Sequence, residues 1–333
     1  MITFESLFKD ETRLGTKIKT DDYLEHGRHP IVDQGQNEVA GYTNLEDGIY
    51  SDVPAVIFGD HTRVIKYIDE PFFLGADGTK ILKGYKPHSN QKYLYYALRA
   101  AKIPNLGYSR HFKCLKELKF VEHSEDEQQQ IVAEFDKLSE IISLKMKELS
   151  LYDELVKARF VEMFGDKNFE TRPFKDVCDE LFAGGDIKKD RTVKEADSDH
   201  PYAVFTNGEK DGGLYGYTDI ARVIKPSITI SGRGIIGFCL VRTEPFYPAI
   251  RLIVATPKEN LVTPSYLKYF IDSKDYNGRG ASIPQLTIPM IKDEPVPIPP
   301  IELQNQFETF IAQVDKSKFT LQNSIIILMN LSG

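Results

Sequence analysis

Few residue patterns in this sequence would support catalysis, and the clearest of them is a run of glycines. Gly232-Arg233-Gly234-Ile235-Ile236-Gly237 has the letters of a dinucleotide-binding loop, which needs a strand before it and a helix opening within it. A strand-like segment precedes the run, but Phe238-Cys239-Leu240-Val241 reads as a second strand. We therefore favour a glycine turn that brings the backbone and Arg233 close to a ligand, with a plain hairpin turn as the alternative.

Metal, thiol and transferase chemistry have weaker support. His26 and His29 have a metal-like spacing, but the sequence offers no evident third ligand. The cysteines Cys114, Cys178 and Cys239 are scattered, as is typical of structural thiols in a reducing cytoplasm. The sequence contains no Asn-Pro-Pro-Tyr motif and no evident nuclease cluster of carboxylates with a lysine. We therefore expect a non-catalytic protein that holds no metal and binds no cofactor itself.

Composition indicates a globular chain with room for two domains. It has 333 residues, of which 41% are hydrophobic and 27% charged. Its apolar runs are far shorter than the roughly 18–20 residues of a membrane span, and its first residues lack the basic and apolar regions of a signal peptide. We expect a cytoplasmic protein.

The net charge of −7 conceals a basic segment over residues 80–119. Its sole acid is Glu117, and a second, shorter basic segment covers residues 221–251. The cations of the first segment are Lys80, Lys83, Lys86, Lys92, Arg99, Lys102, Arg110, Lys113, Lys116 and Lys119. Phosphate binding needs local positive surface rather than a positive total. The sequence is thus compatible with nucleic-acid binding, although ordinary solvated faces remain the alternative.

The chain is an internal repeat. Gly41-Tyr42-Thr43-Asn44 returns as Gly216-Tyr217-Thr218-Asp219, and Glu70-Pro71-Phe72-Phe73 returns as Glu244-Pro245-Phe246-Tyr247. The separation stays at roughly 174 residues and the order is kept, which is the signature of a repeat architecture. Each copy reads as short strands, a short helix and then a long helix. We predict an α+β (mixed α/β) protein with two pseudo-repeated globular domains.

The two long helices share an apolar register. Apolar residues recur at heptad spacing in both, with Lys145 and Lys318 in single seam positions. These residues are Ile131, Phe135, Leu138, Ile142, Leu149, Tyr152 and Val156, and then Phe307, Ile311, Val314, Leu321, Ile325 and Leu328. We predict an antiparallel coiled coil between the helices; the alternative is that each helix packs on its own domain. The expected limits are 1–121 for the first domain, 122–166 for the central helix, 167–300 for the second domain and 301–333 for the C-terminal helix.

Polar side chains in the turns of both repeats are candidates for contact with nucleic acid. Arginine can bind guanine, and glutamine adenine, through two hydrogen bonds. For Asp60-His61-Thr62-Arg63 the alternative is a turn closed by a local ion pair. The candidates are Gln34, Gln36, Asp60, His61, Thr62, Arg63, Ser109, Arg110, His111, Lys113, Lys116, Thr206, Asn207, Ser231, Arg233, Ser282 and Gln285.

These segments resemble a known family. Gln34-Gly35-Gln36, Phe58-Gly59-Asp60-His61-Thr62-Arg63 and Gly75-Ala76-Asp77-Gly78 together resemble the first target-recognition domain of type I restriction–modification specificity subunits. Three further segments resemble the second such domain: Ser231-Gly232-Arg233-Gly234, residues 280–286, and Pro297-Ile298-Pro299-Pro300 with Gln304.

The resemblance implies two recognition domains separated by two paired helices, each domain binding one half of a bipartite asymmetric site in double-stranded DNA. It also implies two methyltransferase subunits and motor-endonuclease subunits as partners. S-adenosylmethionine, ATP and magnesium are then expected on those subunits. The second long helix has fewer residues after its start than the first, so we expect its C-terminal end to be shortened or altered. The alternatives are a stand-alone DNA methyltransferase or nuclease, and a coiled-coil interaction scaffold that does not bind DNA.

Overall fold

The computed structural model describes residues 1–75, 77–107, 109–165, 167–276 and 285–332. The chain divides into unit 1, Met1–Lys147 with Asn323–Gly333, and unit 2, Glu148–Gln322. The predicted domain limits, 1–121 and 167–300, enclose the sheets and leave the long helices outside. The division into units instead cuts each long helix, so that one part of it belongs to unit 1 and the other to unit 2.

Unit 1 is built from short strands and short helices that precede a long helix. Its strands are β1 (Ile2–Thr3), β2 (Phe8–Asp10), β3 (His29–Val32), β4 (Gly41–Thr43), β5 (Ala55–Gly59), β6 (Ile65–Ile68), β7 (Phe73–Leu74), β8 (Thr79–Gly84) and β9 (Lys119–Phe120). Its short helices are α1 (Phe4–Leu7), α2 (Gln91–Arg99) and α3 (Phe112–Glu117). The long helix α4 (Glu125–Phe164) begins in unit 1 and ends in unit 2.

Three sheets organise unit 1. The largest is antiparallel with strand order β2-β8-β5-β6, and a second has the order β4-β3-β7, in which β3 and β7 run parallel. The third pairs β1 with β9, placing Ile2 opposite Phe120. Strand β5 is buried along its whole length. Val56 and Phe58 pack with the α2 residues Tyr93 and Leu94, whereas Ile57 packs in a separate cluster. A continuous apolar run fits this position because both faces of the strand are covered.

Unit 2 repeats this set of elements. Its strands are β10 (Thr171–Pro173), β11 (Cys178–Ala183), β12 (Thr192–Val193), β13 (Tyr202–Phe205), β14 (Leu214–Thr218), β15 (Ser227–Ile230), β16 (Cys239–Arg242), β17 (Phe246–Pro248), β18 (Ile253–Pro257) and β19 (Pro295–Pro297). Its short helices are α5 (Pro264–Asp272) and α6 (Ile288–Ile291), and the long helix is α7 (Ile301–Ser332), whose last residues belong to unit 1.

The sheet orders of the two units correspond, except that the second sheet of unit 2 has one additional strand, β12. The largest sheet of unit 2 has the order β11-β18-β15-β16 and the second the order β12-β14-β13-β17, while β10 pairs with β19. The parallel pair β3–β7 has its counterpart in the parallel pair β13–β17. Helices α2 and α5 each begin with a side-chain cap, from Asn90 to the Tyr93 amide and from Thr263 to the Tyr266 amide. The predicted α+β fold with two pseudo-repeated domains is therefore confirmed.

Within unit 2 the long helices α4 and α7 pair antiparallel, as predicted. Lys318 forms an ion pair with Asp153 at 2.6 Å, and the rings of Phe160 and Phe307 lie 5.5 Å apart. Contacts that advance along α4 therefore recede along α7. The ion pair explains how a lysine occupies an otherwise apolar seam position.

The same helices also pack on the sheets and short helices of unit 2. The rings of Phe164 and Tyr266 lie 4.9 Å apart, and those of Tyr269 and Phe307 lie 5.2 Å apart. Val156, Phe160 and Phe307 belong to the same buried cluster as strand residue Ile253. Unit 2 thus has a core that includes both long helices.

The start of α7 is fixed by a buried amide. Gln304 is fully buried, and its side chain accepts a hydrogen bond from the Thr263 amide at 2.8 Å. It donates to the carbonyl oxygens of Leu261 and Pro299, each at 2.9 Å. The equivalent Gln128 of α4 is half-buried and donates to the His123 carbonyl oxygen at 3.0 Å.

Two of the cysteines lie in the core of unit 2. Cys178 and Cys239 are buried, and burial raises the pKa of the Cys178 thiol to about 12. Cys114 is half-buried, and all three thiols are free. Among the described residues, no helix is both long and apolar enough to cross a bilayer.

Candidate nucleic-acid interface

The candidate residues centre on two equivalent hairpin loops, β5–β6 and β15–β16. In the first, Arg63 lies in the left-handed region with φ of 61°, and its amide donates to the Gly59 carbonyl oxygen at 2.8 Å. In the second, Gly234 and Gly237 adopt positive φ of 72° and 81°. Because strand β16 rather than a helix follows these glycines, this loop is a hairpin and not a dinucleotide-binding turn.

A side-chain amide ties the first hairpin to its neighbours. Gln34 accepts a hydrogen bond from the His61 amide at 3.1 Å and donates to the Asp77 carbonyl oxygen at 3.0 Å. The main-chain carbonyl oxygen of Gln34 accepts a hydrogen bond from the Thr62 hydroxyl at 2.7 Å. One residue thus connects the β3–β4, β5–β6 and β7–β8 loops.

The equivalent amide in unit 2 makes the same connections. Asn207 accepts from the Gly232 amide at 2.8 Å and donates to the Ile250 carbonyl oxygen. It therefore joins the β13–β14, β15–β16 and β17–β18 loops. Both amides were predicted to contact bases, but both ends of each are bonded within the chain. We assign Gln34 and Asn207 to positioning the loops.

Asp60 and His111 are also positioning residues. Asp60 is 4% exposed and accepts from the Phe112 amide at 2.8 Å, and His111 is fully buried. Nδ1 of His111 lies 3.0 Å from the Asp60 carbonyl oxygen, and its Nε2 accepts from the Leu106 amide at 3.2 Å. With both ring nitrogens engaged internally, this geometry does not support base contact by His111, nor does it support the alternative Asp60–Arg63 ion pair.

Two arginines share a groove beside the first hairpin. A cavity of about 340 Å³ is lined by Gln36, Thr62, Arg63 and Arg99, with small and apolar residues completing it. Arg63 donates to the Ile103 carbonyl oxygen at 3.3 Å, and Arg99 stacks on the Tyr95 ring. None of the described residues that line this cavity is acidic. The groove therefore presents guanidinium, amide and hydroxyl groups together.

In unit 2 most cations of the segment 221–251 are engaged inside the unit. Arg222 lies over the Phe182 ring and Lys225 forms an ion pair with Asp179 at 3.3 Å. Arg242 is half-buried and bonds to Thr229 Oγ1 at 3.2 Å, and burial lowers its pKa to about 10. These contacts leave Arg233 and Arg251 as the cations of this segment whose side chains have no ion pair, hydrogen bond or ring contact with any residue the structure describes.

Arg233 and Arg251 line one cavity. It measures about 240 Å³ and also contains Gln285 and Thr287. No acidic side chain contributes to it in the described part of the chain. Arg251 was not among the predicted site residues: it was counted in a basic segment, but nothing in its sequence context indicates the turn that exposes it.

The remaining candidates fall into three groups. Ser231 is 3% exposed and Thr206 is half-buried, so both belong to the loop framework. Ser109 is half-buried and Arg110 is exposed. Ser282 lies outside the described residues.

The basic segment 80–119 is less uniformly available than its sequence indicates. Lys83 is buried beside Asp52, and Lys92 forms an ion pair with Asp136 at 3.1 Å. The Lys80 and Lys116 ammonium groups each lie 5.0 Å from the centre of the Phe112 ring. Exposed positive charge remains at Lys86, Lys102, Arg110, Lys113, Lys116 and Lys119.

Metal binding by His26 and His29 gains no support from the geometry. Across the described ranges, no three His, Cys, Asp or Glu side chains come close enough together to hold a metal ion. His29 instead lies 3.9 Å from Glu46, which also pairs with Arg28.

Known proteins include relatives of this chain. Residues 166–330 match the family described as the type I restriction modification DNA specificity domain. A protein of Mycoplasma pneumoniae named as a type I specificity subunit is 29% identical over 150 residues, which is 45% of this chain and 40% of the relative. A type I restriction enzyme specificity subunit of Escherichia coli is 32% identical over 84 residues, or 24% of this chain and 21% of the relative. The matched part thus spans about 40% of the length of the first of these relatives.

Solved structures agree in fold. The S subunit of a type I restriction–modification system from M. genitalium aligns over 99% of this chain and 92% of its own, with a TM-score of 0.53 and 16% identity. A second solved structure concerns complex assembly and conformational transition of the type I R-M system. One of its chains aligns over 99% of this chain and 93% of its own, with a TM-score of 0.61 and 14% identity. The chain therefore carries a type I restriction modification DNA specificity domain over residues 166–330, and the relatives it matches are specificity subunits, which are the non-catalytic components of restriction–modification complexes.

Proposed function

We propose that this chain reads a bipartite, asymmetric sequence in double-stranded DNA, with unit 1 binding one half and unit 2 the other. The observation that carries the proposal is the repetition of one arrangement. In both units an amide fixes a hairpin beside a groove that contains two arginines, and no acid is found among the described residues that line either groove.

The chemistry of the grooves suits base edges. The guanidinium group presents a planar fork of donors that matches O6 and N7 of guanine, and a glutamine amide matches N6 and N7 of adenine. Unit 1 offers Gln36, Thr62, Arg63 and Arg99, whereas unit 2 offers Arg233, Arg251 and Gln285. Because the two sets differ, the two half-sites should differ as well, which makes the whole site asymmetric.

Phosphate contacts would come from cations around the first groove. Arg110, Lys113 and Lys116 are exposed on or beside α3, whose start is held to the β5–β6 hairpin by the Asp60–Phe112 hydrogen bond. Contacts to phosphate orient a protein on the duplex without reading its sequence. A net charge of −7 does not oppose this, because screening confines electrostatic attraction to local surface.

We further propose that the chain scaffolds two methyltransferase subunits and the restriction and motor subunits of a cytoplasmic complex. Those partners would bring S-adenosylmethionine, ATP and magnesium. Exposed apolar side chains on the long helices support the proposal, since such patches mark interaction surfaces. They include Leu144 and Leu155 on α4, 60% and 47% exposed, and Phe319 and Ile327 on α7, 64% and 61% exposed.

The test of DNA reading is selection of duplexes from a randomised library by the full chain, followed by sequencing. We expect two short fixed blocks separated by unread positions of constant length. A single-stranded library of the same composition is the control and should yield no blocks. Bound duplexes with no common sequence, or with one uninterrupted block, would contradict the proposal.

A further inference from the structure

The β17–β18 loop of unit 2, which connects strands of two different sheets, contains an unusual turn. The Leu252 amide donates to the Ala249 carbonyl oxygen at 3.1 Å, and the two residues between them, Ile250 and Arg251, have φ of 50° and 59°. Two consecutive positive φ values are characteristic of the type I′ turn, which favours Asn-Gly. A β-branched residue in the left-handed region is disfavoured because its Cβ substituents crowd the backbone.

The surrounding structure holds the turn in this conformation. The Ile250 amide donates to the Gly185 carbonyl oxygen at 2.7 Å, and the Arg251 amide to that of Gly184 at 2.9 Å. Asn207 donates to the Ile250 carbonyl oxygen. A Cβ atom on Gly184 would lie 2.6 Å from the Pro248 carbonyl carbon, so the close approach of the turn requires glycine there. The strain is therefore imposed by contacts from two other segments.

This anchoring presents both side chains outward. Ile250 is 42% exposed, and Arg251 is exposed at the cavity that also contains Arg233 and Gln285. Arg251 has no ion pair or side-chain hydrogen bond with the residues that the structure describes. Neither side chain contributes to the core, so the packing of unit 2 does not explain their presence.

The equivalent loop of unit 1 is built differently. The β7–β8 loop has Gly78 at φ of 94°, where glycine carries no penalty. Its exposed Asp77 is paired with Lys17 at 2.6 Å. The same fold position can therefore be filled without a β-branched residue in the left-handed region and without an unpaired guanidinium group. Strain of this kind is found preferentially at binding sites.

We propose that the Ile250–Arg251 turn determines sequence specificity in the half-site read by unit 2. Arg251 donates two hydrogen bonds to O6 and N7 of a guanine, and Ile250 contacts the methyl group of a neighbouring thymine. This inference rests on the proposed reading of DNA by unit 2.

The test compares three variants of the full chain with the parent in the same library selection. Arg251→Lys keeps the charge but removes the planar fork. The double variant Ile250→Asn with Arg251→Gly keeps a type I′ turn, replaces the apolar side chain of Ile250 and removes that of Arg251. Arg172→Lys is the control, because Arg172 lies on β10, which pairs with β19 and not with β17 or β18, and forms an ion pair with Glu170.

With Arg251→Lys we expect preference for the parental block over a scrambled one to fall roughly tenfold to a hundredfold, with the loss confined to one or two positions of one block. Affinity for scrambled duplex should be unchanged. The double variant should lose that part of the block while its Tm rises, because the strained residues have been replaced by turn formers. Arg172→Lys should select the parental sequence.

Other outcomes separate the two hypotheses. If the parent selects two blocks and both Arg251→Lys and the double variant select the same two, the turn does not determine specificity and this inference is overturned, while the proposed function stands. A double variant whose Tm does not rise would overturn the claim that function maintains the strain. A parent that selects no block overturns the proposed function, and this inference with it.

Discussion

The two units keep the same framework and differ in what they present from it. Both have the sheet order β2-β8-β5-β6 or its equivalent, and both use an amide, Gln34 or Asn207, to fasten three loops. Beside the amide, unit 1 places Arg63 with Arg99 from helix α2, whereas unit 2 places Arg233 with Arg251 from a strained turn. The shared amide contacts satisfy backbone hydrogen-bonding groups in the loops, which the fold requires. The arginines differ between the units without affecting those contacts, so they can differ in what they bind.

The starts of the two long helices show a second difference. Gln304 is buried and bonds three backbone groups, whereas Gln128 is half-buried and makes one bond to the His123 carbonyl oxygen. An unpaired buried polar group costs far more than one that water can reach. Equivalent glutamines should therefore differ in their contribution to stability.

The largest effect we expect is from Gln304→Leu. It leaves the Thr263 amide and the carbonyl oxygens of Leu261 and Pro299 without their partner, at about 1–3 kcal/mol for each buried group. Unfolding followed by calorimetry should show a decrease of at least about 3 kcal/mol in the stability of unit 2. Gln128→Leu should cost no more than about 1 kcal/mol.

Gln306→Leu is the matched control, since Gln306 is exposed in the same turn of α7 and undergoes the same change. It should leave the melting profile unaltered. If Gln304→Leu and Gln128→Leu destabilise the protein equally, the contrast between the two helix starts does not hold.

The sequence indicates much of the framework because local patterns determine it. The strand-like segments that become β5 and β15 are buried in both units, and the heptad register of α7 places Phe307, Val314 and Leu321 in buried positions. Lys318, which interrupts that register, is accommodated by an acid on α4 that no local pattern specifies.

The parts that were not anticipated depend on partners far away along the chain. Gln34 has a side chain that can bind a base, but its amide nitrogen donates instead to the carbonyl oxygen of Asp77, some forty residues later in the chain. His111 likewise looks available until Asp60 and Leu106 are placed around it. Arg251 is the reverse case, because nothing in the sequence marks it as a site residue. Only the fold shows that backbone hydrogen bonds to Gly184 and Gly185 hold its turn at the surface.

A smaller effect should distinguish phosphate contacts from base contacts. Reversing the charges of Lys113 and Lys116, both exposed on α3, should weaken binding to every duplex. It should also flatten the slope of log affinity against log salt by roughly 0.9 for each phosphate that the variant no longer neutralises. Titrations at several salt concentrations measure this directly. The control is reversal of Lys137 and Lys157, exposed on α4, which should leave the slope unchanged. An unaltered slope for the α3 variant would show that this surface does not face DNA.

The central claim is that two equivalent hairpins read two different half-sites independently. It is tested most directly by repeating the library selection with Arg63→Ala and with Arg233→Ala. Each arginine lines the groove of one unit, and a two-bond contact to guanine is worth roughly 1–3 kcal/mol of discrimination. We predict that Arg63→Ala relaxes one block and leaves the other intact, and that Arg233→Ala does the reverse. Relaxation of both blocks by either substitution, or of the same block by both, would contradict the account.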